Sequence, residues 1–431
     1  MIATTTGTVE SLASGGAGVV RVEDGKVVLV PGVVPGDRVE IALEPAKKGT
    51  RAPRMTARLL RLIEPGEARV EPPCPVVAAC GGCDWMSLEV SAQAGEHAKI
   101  VRAELSHALG VEVAPPRVHP AARALAYRTR ARLHVVADGK RVRVGYHAAK
   151  SRDLVEPAEC AVLEPGLLEA ARSLASHLRG ARTEGEISVG WGRRNDVRLP
   201  VVDVRVAGDA PQALWKAVSD LVEAGVLAGA RILLGGAASP ATFGDPRPVQ
   251  IGFDDRPVIL PAGGFAQPSD EGAAQLARRV AELARAEDAD VQELFAGAGT
   301  LTIALAKAAR VASTEIDAAA VACAKENLAL RGLSAKASIG DAETSPIPKR
   351  ANIVVLDPPR TGAAGACRAI AAAKPKRVVY VSCDPPTLAR DARVLAAAGY
   401  ALAELETFEL FPQTSHVESV AVFERAKKVS P

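Results

Sequence analysis

Val291-Gln-Glu-Leu-Phe-Ala-Gly-Ala-Gly-Thr-Leu-Thr302 places Gly297 and Gly299 directly behind an apolar strand and directly ahead of a helical stretch. Glycines at that junction let the backbone turn tightly and approach a ligand, with a helix N-terminus behind it. Working outward, a helix over 270–286 precedes this segment, and strands and helices alternate after it. The strand 290–295 is followed by helix 301–309, strand 311–315, helix 318–331, strand 351–356, helix 366–373, strand 377–382 and helix 387–398. This βαβαβ rhythm predicts a doubly wound parallel sheet, an α/β fold of Rossmann-like type.

Polar groups fall at the ends of successive strands. Glu315 closes the strand after the glycine loop, 16 residues beyond Gly299, where a carboxylate suits two ribose hydroxyls. Asp341 follows the next strand-like stretch and is placed to reach an adenine amine. The strand after that ends in Asp357-Pro-Pro-Arg. Each acid could equally be a helix N-cap; taken with the glycines, the set points to a nucleoside-bearing cofactor at the carboxyl edge of the sheet. The third glycine of the dinucleotide fingerprint is missing, which favours S-adenosylmethionine over NAD, because S-adenosylmethionine has no pyrophosphate to cradle.

Cys383 follows the strand 377–382 and opens a helix whose first turn carries Pro385 and Pro386. A helix N-terminus stabilises a thiolate, so this position predicts a thiol below its free value of about 8.5. Cys323 and Cys367 read as small buried hydrophobes, and Cys383 on position alone would read the same way. Beside a methyl donor a soft nucleophile has a use. C5 of a uracil attacks a methyl group only after a nucleophile has added at C6, and a base must then take the C5 proton. Glu418, at the start of a final strand, is the candidate base, and Asp357 is placed to orient or polarise the uracil edge.

Toward the N-terminus the pattern changes. Short β-branched runs at 18–22, 26–30 and 38–43 are punctuated by Gly15-Gly16, Asp24-Gly25, Pro31-Gly32 and Pro35-Gly36. They predict a small β-barrel, for which oligonucleotide binding is one common use. Residues 88–110 read as a helix, and 120–265 mix strand-like alternation (131–136, 141–146, 201–206) with helical stretches (167–178, 211–224), an α+β domain. The boundaries expected are therefore 1–65 for the barrel, 66–265 for the central domain and 266–431 for the cofactor-binding domain.

The net charge of +3 says little about partners, but residues 41–70 carry seven Lys/Arg against three acids, and 121–155 carry nine against two. Such stretches suit a polyanion, although a solvated face gives the same count. No apolar run reaches the length of a membrane span and no signal segment opens the chain, so a cytoplasmic enzyme without a membrane partner is expected. Seven cysteines fit a reducing compartment. Cys74, Cys80 and Cys83 cluster, and Cys160 stands apart.

Together these residues resemble the RNA (uracil-5-)-methyltransferases, in particular the branch that acts on 23S ribosomal RNA and carries an N-terminal TRAM domain and a 4Fe–4S cluster. The resemblance spans nearly the whole chain. It rests on Gly18-Val-Val-Arg through Val30-Pro-Gly-Val-Val-Pro-Gly-Asp, on Cys74-x5-Cys80-Gly-Gly-Cys83 with Cys160 in Val155-Glu-Pro-Ala-Glu-Cys, and on Tyr127-Arg-Thr-Arg-Ala-Arg. Asp357-Pro-Pro-Arg-Thr-Gly and Ser382-Cys-Asp-Pro-Pro-Thr-Leu-Ala-Arg-Asp are its most specific parts. It implies that Gln267, Phe295, Glu315 and Asp357 contact cofactor or target, with Asp341 near the adenosine, Cys383 as nucleophile and Glu418 as base. It also implies that the four cysteines hold a 4Fe–4S cluster, which spacing alone does not separate from zinc. The substrate implied is 23S rRNA, with tRNA as the alternative, and the enzyme is expected to be a monomer.

Three departures stand out: Ser269 and Asp384 occupy positions where the family usually has Asn, and Asp84-Trp-Met-Ser follows the cysteine loop where Gln and His are common. Asp384 opposes a neighbouring thiolate unless it caps the following helix. Aromatic residues make up only 3% of the chain, which limits stacking platforms for bases. Three other readings fit parts of the pattern. An amino-methyltransferase would use Asp-Pro-Pro without a thiol, a dehydrogenase would bind NAD, and a non-catalytic RNA-binding assembly factor would keep the fold alone.

Overall fold

The computed structural model describes residues 4–22, 25–44 and 55–425. Within them β1 (Thr4–Leu12), β2 (Gly18–Val22), β3 (Val27–Val30), β4 (Arg38–Leu43) and β5 (Met55–Glu64) close a barrel in the order β1-β2-β3-β5-β4. Its interior is filled by alternate residues of each strand, among them Val9, Val20, Val28, Val39 and Ile41. Gly7 is required by closure: a Cβ there would lie 2.6 Å from Val20 Cγ1 and 2.7 Å from the Arg21 carbonyl. Asp37 is fully buried, yet it accepts hydrogen bonds from the Val34 and Gly66 amides and from Arg69, so its charge is compensated. That cluster clamps the barrel to the chain that leaves it. Of the basic stretch 41–70, Lys47, Lys48, Arg51 and Arg54 lie outside the described residues, as does Asp24 of the expected turn.

The cysteine loop leads into α1 (Val90–Leu109) and β6 (Arg117–His119). The central domain follows, with β7 (Arg130–Asp138), β8 (Val142–His147), β9 (Leu154–Val155), α2 (Leu167–Ser176), β10 (Arg182–Arg194), β11 (Val197–Val206), α3 (Gln212–Glu223), β12 (Gly229–Leu234) and β13 (Ala241–Gly244). Its strands form one sheet in the order β13-β12-β11-β10-β7-β8-β9. Leu133, Val135, Ile187, Val202 and Val204 on one face pack under Leu167, Leu174, Leu214 and Val218 of α2 and α3. A ribbon of β14 (Val249–Ile251) and β15 (Pro257–Ile259) carries the chain into the last domain.

There α4 (Asp270–Ala284), β16 (Asp290–Leu294), α5 (Thr300–Leu305), β17 (Arg310–Glu315), α6 (Ala318–Ala329), β18 (Ala335–Ile339), β19 (Ile353–Leu356), α7 (Ala364–Ala373), β20 (Arg377–Ser382), α8 (Pro385–Ala397), β21 (Tyr400–Phe408) and β22 (Glu418–Arg425) build the second sheet. Its order is β18-β17-β16-β19-β20-β22-β21-β6. The strands from β18 to β20 are parallel, as the alternation predicts. The end of the sheet is not: β22 runs antiparallel between β20 and β21. The loop 409–417 folds the chain back on β21, and the returning strand slots into the gap beside β20.

Two further features depart from the chain's linear order. β6 pairs with β21 and covers the open edge. Val101 and Leu105 of α1 join Leu388 and Leu395 of α8 in one core. Residues 90–119 thus pack with the C-terminal sheet, although they precede the central domain in sequence. The helix starts are capped as their residues suggest. Ser269 Oγ accepts from the Gly272 amide at 2.9 Å, Asp317 from Ala319 at 2.8 Å and Asp384 from Thr387 at 2.9 Å. At two departures from the family pattern, Ser269 and Asp384, the side chain therefore works as a helix cap.

Candidate active site

The carboxyl ends of the parallel strands lie side by side, because the ladder pairs Leu294 with both Thr314 and Leu356, and Leu356 with Tyr380. The residues just beyond those positions, Phe295, Glu315, Asp357 and Cys383, therefore share one edge. Phe295 takes a left-handed φ of 61°, an unusual conformation for a non-glycine residue, as the chain leaves β16 for the glycine loop. Gly297 and Gly299 continue the turn at φ of 54° and 86°. The Gly297 amide donates to Glu315 Oε2 at 2.9 Å and the Asp317 amide to Oε1 at 2.8 Å. The carboxylate is thereby fixed at the mouth, with lone pairs to spare for hydroxyl donors. Asp341 is exposed beyond β18, where its Oδ1 accepts from the Glu343 amide at 2.9 Å. Gln267 is buried, and its Oε1 has no partner.

A residue the sequence reading passed over lies under this loop. Glu293 is 1% exposed; Thr302 Oγ1 donates to its Oε2 at 2.6 Å, and its Oε1 is unpartnered. Burial first, and then the charges of Asp357 and Glu315, push its carboxyl up to about 8. The available signal was an acid inside an apolar strand immediately before the glycines.

At the other end of the edge, antiparallel pairing matches Ser382 with Ser419, and Ser419 Oγ donates to the Ser382 carbonyl at 3.0 Å. The same register sets Cys383 opposite Glu418. Glu418 is 2% exposed, and its Oε1 has no partner. Burial and then the Asp357 charge hold its carboxyl well above the ordinary range. Burial pushes Asp357 up to about 7. Two carboxyls brought together in a desolvated site resist simultaneous ionisation.

The thiol departs from expectation. The helix N-terminus predicts a lowered Cys383, but burial, followed by the charges of Glu418 and Asp357, pushes it up to about 12; Arg360 opposes this and Asp384 adds a smaller upward push. Desolvation and like charge outweigh one helix end. Asp357→Asn removes one of those charges, so iodoacetamide should alkylate Cys383 several-fold faster at pH 8, read from the mass of its peptide. An unchanged rate would remove Asp357 as a cause. His416 completes the surroundings: burial and then Arg360 lower its pKa, and Arg360 Nη2 donates to its Nε2 at 3.1 Å.

The third cluster lies apart. Cys74, Cys80, Cys83 and Cys160 line one small cavity together with Met86, Arg128, Tyr146 and Val162, and all four are free thiols. Gly81 is held against the central domain, its amide donating to the His147 carbonyl at 3.0 Å. Burial, followed by Cys160 and Cys80, pushes Cys83 up to about 12. No group of three or more His, Cys, Asp or Glu side chains poised to hold a metal ion occurs among the described residues.

An α/β sheet of this order, with a glycine loop, a ribose-ready acid and no phosphate cradle, defines a Rossmann-like S-adenosylmethionine-dependent methyltransferase. Family models agree: "Methyltransferase small domain" matches residues 258–374, "tRNA (Uracil-5-)-methyltransferase" residues 349–426 and "TRAM domain" residues 5–50. A 23S rRNA (uracil(1939)-C(5))-methyltransferase of Pectobacterium atrosepticum is 33% identical over 96% of this chain and 92% of its own. An uncharacterised RNA methyltransferase of Gloeobacter violaceus is 35% identical over 98% and 97%. The chain belongs to the RNA uracil-5-methyltransferase family, in the form that carries a TRAM domain. In fold it is similar to the Pyrococcus abyssi tRNA (uracil-54, C5)-methyltransferase solved with S-adenosyl-L-homocysteine, with a TM-score of 0.71 and 24% identity over 97% of this chain and all of that one. Among the described residues no helix is long and apolar enough to cross a membrane.

Proposed function

We propose that the enzyme methylates C5 of a uridine in 23S rRNA through a covalent bond between Cys383 and C6. The observation that carries the chemistry is the facing of Cys383 and Glu418 across β20 and β22, with Asp357 beside them. The ribosomal substrate rests on the relatives that span the whole chain, one of which is the Pectobacterium atrosepticum enzyme. Glu315, Asp341 and the backbone at Gly297 and Gly299 would hold S-adenosylmethionine, with Phe295 and Gln267 at its methyl-bearing end. Bound there, S-adenosylmethionine supplies an electrophilic methyl group.

The chain's own residues do the rest. Cys383 Sγ bonds to C6 as its proton passes to the Asp357 carboxylate; the electrons of C5–C6 move toward O4, which makes C5 nucleophilic. After C5 has gained the methyl group, Glu418, as the carboxylate, accepts the C5 proton, the C5–C6 double bond re-forms and the C6–S bond breaks; the departing thiolate takes its proton back from Asp357, and Glu418 gives the C5 proton up to solvent. A raised carboxyl pKa suits this transfer, and the unpartnered Glu418 Oε1 leaves a lone pair open for it. The target base must leave its stack for both faces of the ring to be reached. Phe265, 77% exposed beside Gln267 in the cleft with the central sheet, offers a face to an unstacked base.

Four thiols converging on one cavity fit a 4Fe–4S cluster in donor type and number. A cationic iron–sulfur core would offset the burial, and then the like charge of Cys160 and Cys80, that hold Cys83 protonated. Anaerobically purified protein should contain about four irons per chain; one zinc instead would overturn this assignment. The function itself is tested by transferring a labelled methyl group to unmodified 23S rRNA and to tRNA, then mapping the product. 5-Methyluridine in the ribosomal RNA is expected, and label confined to tRNA would contradict the substrate.

A further inference from the structure

Glu418 is the first residue of β22, so the loop 409–417 before it sets where its carboxyl lies. That loop makes a few bonds of its own: the Thr414 amide and Oγ1 both donate to the Phe411 carbonyl, at 3.2 and 2.8 Å. The Glu409 amide donates to the His119 carbonyl of β6 at 3.0 Å, and Arg360 reaches His416 from beyond β19, but several further anchors come from outside the methyltransferase sheet. The Ser415 amide donates to Asp84 Oδ1 at 2.7 Å, and the Trp85 amide donates to the Gln413 carbonyl at 3.1 Å. Gln93 of α1 accepts from the Gln413 amide at 2.7 Å and donates to Gln413 Oε1 at 3.2 Å. Tyr127 Oη donates to the Pro412 carbonyl at 3.1 Å.

Gln413 itself sits at a φ of 73°, a conformation that costs a non-glycine residue energy unless its surroundings impose it. Gln93 and Trp85 impose it by taking both of its backbone groups. His97, fully buried, contacts Glu409 through Nδ1 at 2.9 Å and the Thr414 carbonyl through Nε2 at 3.1 Å. Both contacts run to oxygen acceptors, and Trp85 stacks on the ring with the centroids 4.3 Å apart. The barrel reaches the same point, because Trp85 Nε1 donates to the Gly16 carbonyl at 3.2 Å. A Cβ on Gly16 would lie 2.3 Å from Asp84 Oδ2 and 2.8 Å from Ser415 Cβ. Asp84 and Trp85 immediately follow Cys83 in the chain.

We propose that Asp84, Gln93 and His97 are positioning residues for proton removal: they fix the loop 409–417, and through it the Glu418 carboxyl, relative to C5 of the bound uridine. The proposal rests on the reading of Glu418 as the base. It ties the cysteine loop and the barrel turn to the last chemical step. Loss of the anchors leaves Cys383 and the methyl-donor site in place, so attack and methylation proceed while release of the thiol slows.

The test is a single-turnover reaction with full-length protein and unmodified 23S rRNA, in which adduct is read on a denaturing gel and free methylated RNA is counted. Asp84 is exposed, so Asp84→Ala should fold. It should accumulate adduct and release product about tenfold more slowly, with S-adenosylmethionine affinity unchanged. Asp84→Asn keeps an acceptor for the Ser415 amide and should restore release. Gln93→Leu should slow release further. If both Asp84→Ala and Gln93→Leu lose methylation without adduct, or release product at the normal rate, while Glu418→Gln accumulates adduct, the positioning role is overturned. If Glu418→Gln yields no adduct either, the base assignment has failed and the positioning role falls with it.

Discussion

Cys383→Ala is expected to lower methyl transfer to RNA by at least about 10⁴-fold while leaving S-adenosylmethionine affinity within about twofold. The split follows from the architecture. Most of the groups proposed to hold the cofactor lie at the ends of β16, β17 and β18, whereas Cys383 lies past β20, with β19 between. Without a nucleophile at C6, C5 of a neutral uracil has no path to the sulfonium methyl, and the remaining binding groups cannot substitute for it. Binding is measured by titration calorimetry and transfer by label incorporation. Substantial methylation by the alanine variant would show an acceptor other than uracil C5, such as an exocyclic amine. Loss of cofactor affinity would show that the thiol shapes the cofactor pocket.

Glu418→Gln should lower turnover by about 10²–10⁴-fold, and, unlike the alanine variant at position 383, it should do so after methylation. The amide keeps the shape of the side chain but accepts no proton, so the methylated adduct cannot eliminate the thiol. A protein–RNA band resistant to denaturation should therefore appear, carrying label from the methyl donor. Wild-type enzyme should show the band only fleetingly. The substitution also removes a like charge from beside Cys383, which should lower the thiol from about 12 and quicken its first attack. Fast adduct formation with slow release is the combined signature; slow formation with no adduct would make Glu418 a structural residue.

The parallel half of the sheet was legible because its strands are short runs that end near a glycine or an acid, and α4, α6 and α8 start on the caps Ser269, Asp317 and Asp384. The glycines and Glu315 could be singled out for the same reason, whereas Gln267 entered only through the family resemblance and Cys383 gained its role only beside a methyl-donor site. The antiparallel insertion of β22 was not legible, since it depends on a hairpin return whose strand competes for a gap in the sheet. The opposition of Cys383 and Glu418 follows from that register and from nothing near either residue in sequence. The thiol's direction of shift was misread because a helix end is visible in sequence, whereas burial and two carboxylates converging from other strands are not. Glu293, Gln93 and His97 were passed over for a related reason. Their partners lie far away in the chain, as His97 and Glu409 do, or the residue reads as one polar position in an apolar pattern.

The central claim is a thioether between Cys383 and the pyrimidine that also receives the methyl group. It is tested most directly by mass spectrometry of the Glu418→Gln adduct, digested with protease and ribonuclease. The peptide containing Cys383 should carry a single uridine nucleotide plus one methyl group, with fragmentation placing the bond at sulfur. A nucleotide attached to any other residue, or attached to Cys383 with the methyl group elsewhere in the RNA, would contradict the mechanism.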